Sequence, residues 1–235
     1  MIGIIGAMPI EIEDLKQKME EKNGRVIAGM TFYQGKIHGV PCVLACCSPG
    51  KVNAAACAQA MAMAYAPSLI INSGVAGGIG REVHMGDLVI AERVVQHDID
   101  TSALDEQIGL IPGINRVFLS ADKTAANLIR EAAKRHYQGA IHMGIIATGD
   151  QFVSSNQRLE AISREFGAIA CEMEGGSIGQ VCVLNKIPFC VIRTISDNGN
   201  DEAAMDFTQF SDEAAKKSTA LLYDILPELR ERGTT

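Results

Sequence analysis

The chain has 235 residues, 47% of them hydrophobic, with 21 basic and 28 acidic side chains and a formal net charge of −7. This length and a mean hydropathy of +0.11 exclude a disordered chain and predict one packed domain over residues 1–235. Acids and bases are interleaved along the sequence, which argues against a nucleic-acid or membrane partner and favours a small neutral or cationic molecule.

Residues 2–5 predict a buried strand ending at Gly6, and Glu11 follows too early for a signal peptide. Residues 10–21 predict a charged helix with Pro9 in its first turn, which puts Glu11 beside the mouth of that strand. Residues 25–47 alternate, with turn signals at Gly29, Lys36 to Gly39, and Pro41, and predict an antiparallel meander. Residues 52–65 are rich in Ala and Met with almost no polar face, so a helix buried on most sides is expected, in part by a subunit contact. No charge occurs between Lys51 and Arg81, but Asn53, Gln59, Pro67 and Asn72 break the stretch into two elements rather than a membrane span.

Residues 68–72 predict the next buried strand, followed by a glycine loop over 74–80. Gly86 introduces a strand over 87–95 that runs on to His97 and Asp98, and residues 99–115 predict a long loop of the kind that carries function or a contact. Asp122 is expected to cap a helix ending near His136; 140–147 predict a strand ending in Thr148, and 156–165 another helix. Residues 168–172, 177–186 and 188–196 predict strand, helix, strand. In a parallel unit the acids at both strand ends, Glu172 with Glu174 and Asp197, would share one sheet edge, where ligands of open α/β sheets bind. An amphipathic helix from Phe207 to about Arg232, with a break expected at Pro227, closes the chain. The fold class is α/β, a single-domain mixed sheet flanked by helices.

Seven cysteines, none in a C-x-x-C pair and most in apolar runs, predict buried reduced thiols and a cytoplasmic location. The 74–80 run holds no G-x-G-x-x-G in register, and Gly50-Lys51 lacks the rest of a P-loop. Five histidines show no metal spacing, so no metal and no other cofactor is predicted. Gly175 to Gly179 matches G-x-S-x-G, yet every histidine precedes Ser177, whereas an α/β-hydrolase places its histidine afterwards.

Polar chemistry remains at four predicted strand ends: Glu11, the 74–80 glycines, Glu172 with Glu174, and Arg193 with Asp197. Each acid alone reads as a helix cap or a solvated group. Together, carboxylates without metal ligands or an activated Ser or Cys suit acid/base work and the binding of hydroxyl groups. Glycosidic cleavage is one such chemistry, since it needs an acid at the leaving group, a base for water and anionic surroundings.

Residues 2–8 with Glu11, Ser-Gly-Val-Ala-Gly-Gly (73–78), Gly-Asp-Gln-Phe (149–152), Glu-Met-Glu (172–174) and Arg-Thr-Ile-Ser-Asp (193–197) resemble the bacterial 5′-methylthioadenosine/S-adenosylhomocysteine nucleosidases, within the purine nucleoside phosphorylase superfamily. The resemblance runs in order along nearly the whole chain and implies a nucleoside-phosphorylase-like fold, a homodimer, and a small-molecule adenine nucleoside as partner. It implies that Asp197, supported by Ser196, holds adenine N7 and its exocyclic amine and protonates the leaving base. Such an Asp needs a sheltered site to raise its proton affinity. By the same resemblance Glu11 is the base that positions water, Phe152 stacks on adenine, and the Val153 backbone reads its Watson–Crick edge. Glu174 binds the ribose hydroxyls next to the Met173 backbone, with Arg193 and Glu172 around the water and ribose. A structural role for Glu172 is an equal reading. Met8 and Phe207 line the sugar and 5′-alkylthio pocket, while Leu104 and Pro112 belong to a loop that the family lends to the neighbouring subunit. Val75 stands where many relatives carry a serine near the water, and Pro49 and Leu104 differ from the residues that relatives place around the 5′ group. The 5′-substituent therefore stays open among methylthioadenosine, S-adenosylhomocysteine, 5′-deoxyadenosine and aminodeoxyfutalosine. A phosphate-dependent phosphorylase and a non-catalytic nucleoside-binding protein are the alternatives.

Overall fold

In the computed structural model, residues 1–198 and 203–230 are described. Among these residues ten strands and six α-helices follow one another as β1 (Ile2–Gly6), α1 (Glu13–Lys18), β2 (Glu20–Ile27), β3 (Met30–Ile37), β4 (Val40–Cys46), α2 (Lys51–Tyr65), β5 (Leu69–Gly78), β6 (Leu88–Gln96), β7 (Phe118–Ser120), α3 (Lys123–His136), β8 (Ile141–Thr148), α4 (Asn156–Phe166), β9 (Ala168–Glu172), α5 (Gly175–Asn185), β10 (Phe189–Asp197) and α6 (Ala203–Arg230). Pairing runs β10-β6-β8-β9-β5-β1-β4-β3-β2, with β7 on β6 and a further contact between β10 and β5. That last contact closes β5, β10, β6, β8 and β9 into a ring, from which β1 to β4 extend as an open wing.

Helices cover this mixed sheet in three groups. Apolar residues of α1, α3 and α6, such as Leu15, Ile129, Leu222 and Ile225, pack with Ile4, Ile71 and Ile90 of the sheet. On another face, Cys57 and Met61 of α2 and Ile178 and Cys182 of α5 pack against Ile5, Ile70 and Val191. A smaller core sets Leu159, Ile162 and Phe166 of α4 against Ile145 and Ala147. Local signals placed many of these elements. Asp122 accepts a hydrogen bond from the Ala125 amide at 2.9 Å, the cap expected for α3.

The acid-bearing unit departs from the parallel arrangement expected of it. β9 runs antiparallel to β5, whereas β10 runs parallel to it, so β9 and β10 are oppositely directed and β5 lies between them. The acids still converge, because Cys171 and Asp197 both register with Gly77 of β5, from opposite sides. Pairing of both strands with β5 brings the two ends together.

Other expectations shift for local reasons. The predicted 10–21 helix is a 3₁₀ turn at Pro9–Glu11 followed by the short α1, and Met19 turns extended to start β2. Residues 74–78 continue β5 as strand instead of forming a loop, because these glycines serve close approach rather than a turn. A Cβ on Gly78 would lie 3.1 Å from the Ile195 side chain. Pro41 sits within β4, and the preceding turn is made by His38 and Gly39, both at positive φ. One face of α2 is exposed, Val52 and Met63 each by 79%, so within one chain the helix is not buried on most sides. Strand β7 carried too short an apolar run to be predicted. Pro227 lies inside α6 without ending it, and the expected end near Arg232 falls outside the described residues.

Candidate active site

Glu11 is the first element of the site. The turn at Pro9–Glu11 bends the chain back over the end of β1, so that the Glu11 carboxylate accepts the Ala7 and Met8 amides at 2.6 and 2.9 Å. It also accepts the Val75 amide at 3.1 Å. Along one edge, β5 pairs with β1 only as far as Asn72 and with β9 only from Gly77, and the carboxylate fills the gap between. Gly74 makes this possible, since a Cβ there would come 2.5 Å from a Glu11 oxygen. Burial raises the proton affinity of Glu11, and the Arg193 charge with the three amides only partly offsets it. The result is a fixed carboxylate that is a stronger base than one in water.

A second cluster forms around Glu172 and Arg193. Glu172 at the end of β9 accepts the amides of Glu174 and Gly175, the Gly175 contact at 2.8 Å, together with the Thr148 hydroxyl and the Arg193 guanidinium. Arg193 is 1% exposed, donates also to the Asn72 side chain, and stands 3.6 Å from the Glu174 carboxylate. One guanidinium thus faces three carboxylates, those of Glu172, Glu174 and Glu11. Burial first, then the charge of Glu172, lifts Glu174 to a pKa of about 7, while Arg193 and the Gly50 amide oppose that rise. Glu174 accepts the Gly50 amide at 3.0 Å, and this contact ties the start of α2 to the site.

Asp197 ends β10, and Ser196 donates to its carboxylate at 2.8 Å. Between Asp197 and Glu11 opens a cavity of about 320 Å³. Its wall includes Met8, Glu11, Val75, Phe152, Val153, Glu172, Met173, Glu174, Ser196, Asp197 and Phe207, so most of the residues implied by the sequence resemblance meet in one place. Phe152 and Phe207 meet edge to face, ring centroids 5.5 Å apart, at the mouth, where Phe152 remains 48% exposed.

Three implied residues fall elsewhere. Arg193 is not on the cavity wall but behind it, holding the carboxylates. Leu104 ends a 3₁₀ turn at Ser102–Leu104, 76% exposed, and Pro112 is also at the surface; neither touches the cavity of its own chain. Sequence reasoning missed Ala7, Ala76, Gly77, Gln151, Leu159 and Cys171 on the wall and Asn72 and Thr148 behind it. A polar Asn inside the apolar run 69–72 was the one available signal, because a buried amide needs a partner.

The cavity therefore offers a buried base, a second carboxylate across from it, an anionic floor and an aromatic mouth. This suits cleavage of a glycosidic bond through a cationic sugar. A model of the family described as "Phosphorylase superfamily" matches residues 1–227. The 5′-methylthioadenosine/S-adenosylhomocysteine nucleosidase of Oceanobacillus iheyensis is 37% identical over 229 residues, 97% of this chain and 99% of that protein. Among solved structures, the 5′-methylthioadenosine/S-adenosylhomocysteine nucleosidase of Neisseria meningitidis in complex with methylthio-immucillin-A superposes with a TM-score of 0.93 at 32% identity, covering 97% of this chain and 98% of that one. The futalosine hydrolase of Helicobacter pylori does so with a TM-score of 0.91 at 36% identity, covering 97% of each chain.

Proposed function

The chain belongs to the phosphorylase superfamily, and on that footing we propose that it hydrolyses the N-glycosidic bond of 5′-methylthioadenosine, S-adenosylhomocysteine or both. The products are adenine and a 5-thio-ribose. The observation that carries this reading is the Glu11 carboxylate, held by three backbone amides at the cavity wall with its proton affinity raised.

In the proposed reaction adenine lies between Phe152 and Asp197, with the Val153 backbone at its Watson–Crick edge, and Glu174 grips the ribose hydroxyls beside Met173. As the bond from C1′ to N9 breaks, its electron pair passes to the purine, and Asp197 delivers a proton to N7. The cationic sugar is stabilised by the Glu172 and Glu174 floor. Water adds to C1′ and gives its proton to Glu11, and exchange with solvent returns Asp197 and Glu11 to their starting states. Met8 and Phe207 take the 5′-alkylthio end. Glu172, bonded to two amides, a hydroxyl and a guanidinium, serves as the support of that floor. Leu104 and Pro112 would complete the 5′ pocket of a second copy, making the working unit a homodimer. Residues 1–235 are read as one domain, placed in the cytoplasm with a role in methionine salvage.

A phosphorylase would seat phosphate where water stands, but a buried carboxylate at that position repels an anion, which needs cationic or amide donors. Adenine release from methylthioadenosine, measured with and without phosphate, tests the reading. Equal rates are expected, and strict dependence on phosphate would make the protein a phosphorylase. Binding of the nucleoside without turnover would make it a non-catalytic carrier.

A further inference from the structure

The base side and the ribose side of the cavity are carried by chain segments with no common element. Phe152 and Val153 follow β8, whereas Glu174 takes its amide partner Gly50 from the start of α2. Outside the cavity wall, three residues join these segments. The Lys51 ammonium donates to Asp98 Oδ1 at 2.6 Å, and Asp98 Oδ2 accepts the Asp150 amide at 2.9 Å. Asp150 Oδ1 in turn accepts the Lys51 amide at 2.7 Å. These contacts form a closed ring across three loops, one entering α2, one leaving β6 and one leaving β8.

The ring is more than a surface ion pair. The Lys51 and Asp98 side chains are each 18% exposed, so their attraction is only weakly screened. Burial pushes Asp98 upward, but the Lys51 ammonium and the Asp150 amide outweigh it and hold the carboxyl below its ordinary range. Gly50 adopts φ +104, and a Cβ there would lie 3.2 Å from Asp150 Oδ1, so the two loops meet at close range. The Gly149 amide donates to the Glu172 carbonyl at 3.0 Å, which roots the base-side loop in the carboxylate floor.

We propose that Lys51, Asp98 and Asp150 are positioning residues that fix the distance between the base platform and the ribose grip. The proposal rests on the nucleosidase reading for its substrate but not for its geometry. A nucleoside spans both sides and gains from their fixed separation, whereas free adenine uses one side. Loss of the ring therefore penalises the nucleoside selectively, because misplacement by about an ångström removes the benefit of simultaneous contact.

The experiment compares wild type with Lys51→Met, Asp98→Asn, the double variant and Lys51→Arg. Adenine release from methylthioadenosine gives kcat and KM, and inhibition by free adenine gives its affinity. Each single disruption is expected to raise KM about tenfold or more, with little change in kcat or in adenine affinity. The double variant is expected to be no worse than the poorer single one, and Lys51→Arg to recover most of the loss. A fall in kcat alone, parallel losses for adenine and nucleoside, or additive effects would overturn the proposal. Wild type without turnover would instead refute the nucleosidase reading. Amide hydrogen exchange then still decides the ring, which predicts faster exchange at Gly50, Lys51 and Asp150 in Asp98→Asn with β9 unchanged. Equal exchange in both proteins would overturn it.

Discussion

Of the four carboxylates on the cavity wall, Glu11, Glu174 and Asp197 carry separate tasks in the proposed reaction. Glu11 has three amide donors yet stays hungry for a proton through burial, which suits a base. Replacing it with Gln keeps one of the two acceptor oxygens but removes the base, so hydrolysis should vanish while nucleoside binding survives; calorimetric titration alongside adenine release checks this. For Asp197, the proposed acid, Asp197→Asn should lower turnover by at least about a hundredfold, the ordinary scale of general acid catalysis, and a rate near wild type would move the acid elsewhere. Glu174 has a folded pKa of about 7 against an ordinary 4.5. Between those values the folded protein holds a proton that the unfolded chain has released, so the stability from this group is complete below 4.5 and is lost as pH rises through about 7. Glu174→Gln should therefore melt higher than wild type at pH near 8, with the gap closing in acid, while KM for nucleosides rises. Thermal melts across pH with parallel kinetics would show both, and an unchanged gap would sink the assignment.

At the scale of elements, the site depends on places where the sheet stops pairing. β5 runs from Leu69 to Gly78, but between Asn72 and Gly77 its edge is released by β1 and not yet taken by β9, and there Glu11 inserts. A Gly74→Ala variant places a methyl 2.5 Å from the Glu11 carboxylate. Gly74 is not at positive φ, so the strand itself tolerates Ala and the carboxylate must move. Turnover should fall by about a hundredfold, as expected for a displaced catalytic group, with the far-ultraviolet circular dichroism unchanged. A rate within a few-fold of wild type would mean that Glu11 needs no such close seat. The run of glycines looked like a loop because glycine usually marks turns; here its missing side chain is what the site uses.

For the whole molecule, the exposed apolar positions are informative. Val52 and Met63 of α2 are each 79% exposed and Leu104 is 76% exposed, and Leu104 and Pro112 lie away from their own cavity. If two copies share the 99–115 loop, dilution below the dimer's dissociation range should raise KM, followed by adenine release with sedimentation at matched concentrations. Constant KM in a proven monomer would remove that loop from the site. Among the described residues no helix is long and apolar enough to cross a membrane, in line with reading 51–81 as two elements.

The amino-acid sequence determined the parts that local physics controls. Apolar periodicity and turn signals placed most strands and helices and Asp122 marked the start of α3, while the family resemblance of the motifs around Glu11, Phe152, Glu174 and Asp197 implied most of the cavity wall. Only the tertiary structure decided how those parts meet. The amide of Val75 reaches a carboxylate 64 positions away, and that of Gly50 one 124 positions away. Such pairings carry no periodic signal, because they depend on which strands end side by side in the sheet rather than on neighbours in the chain. For the same reason Arg193 looked like a substrate contact but lies behind the wall, where one guanidinium holds the acidic floor together.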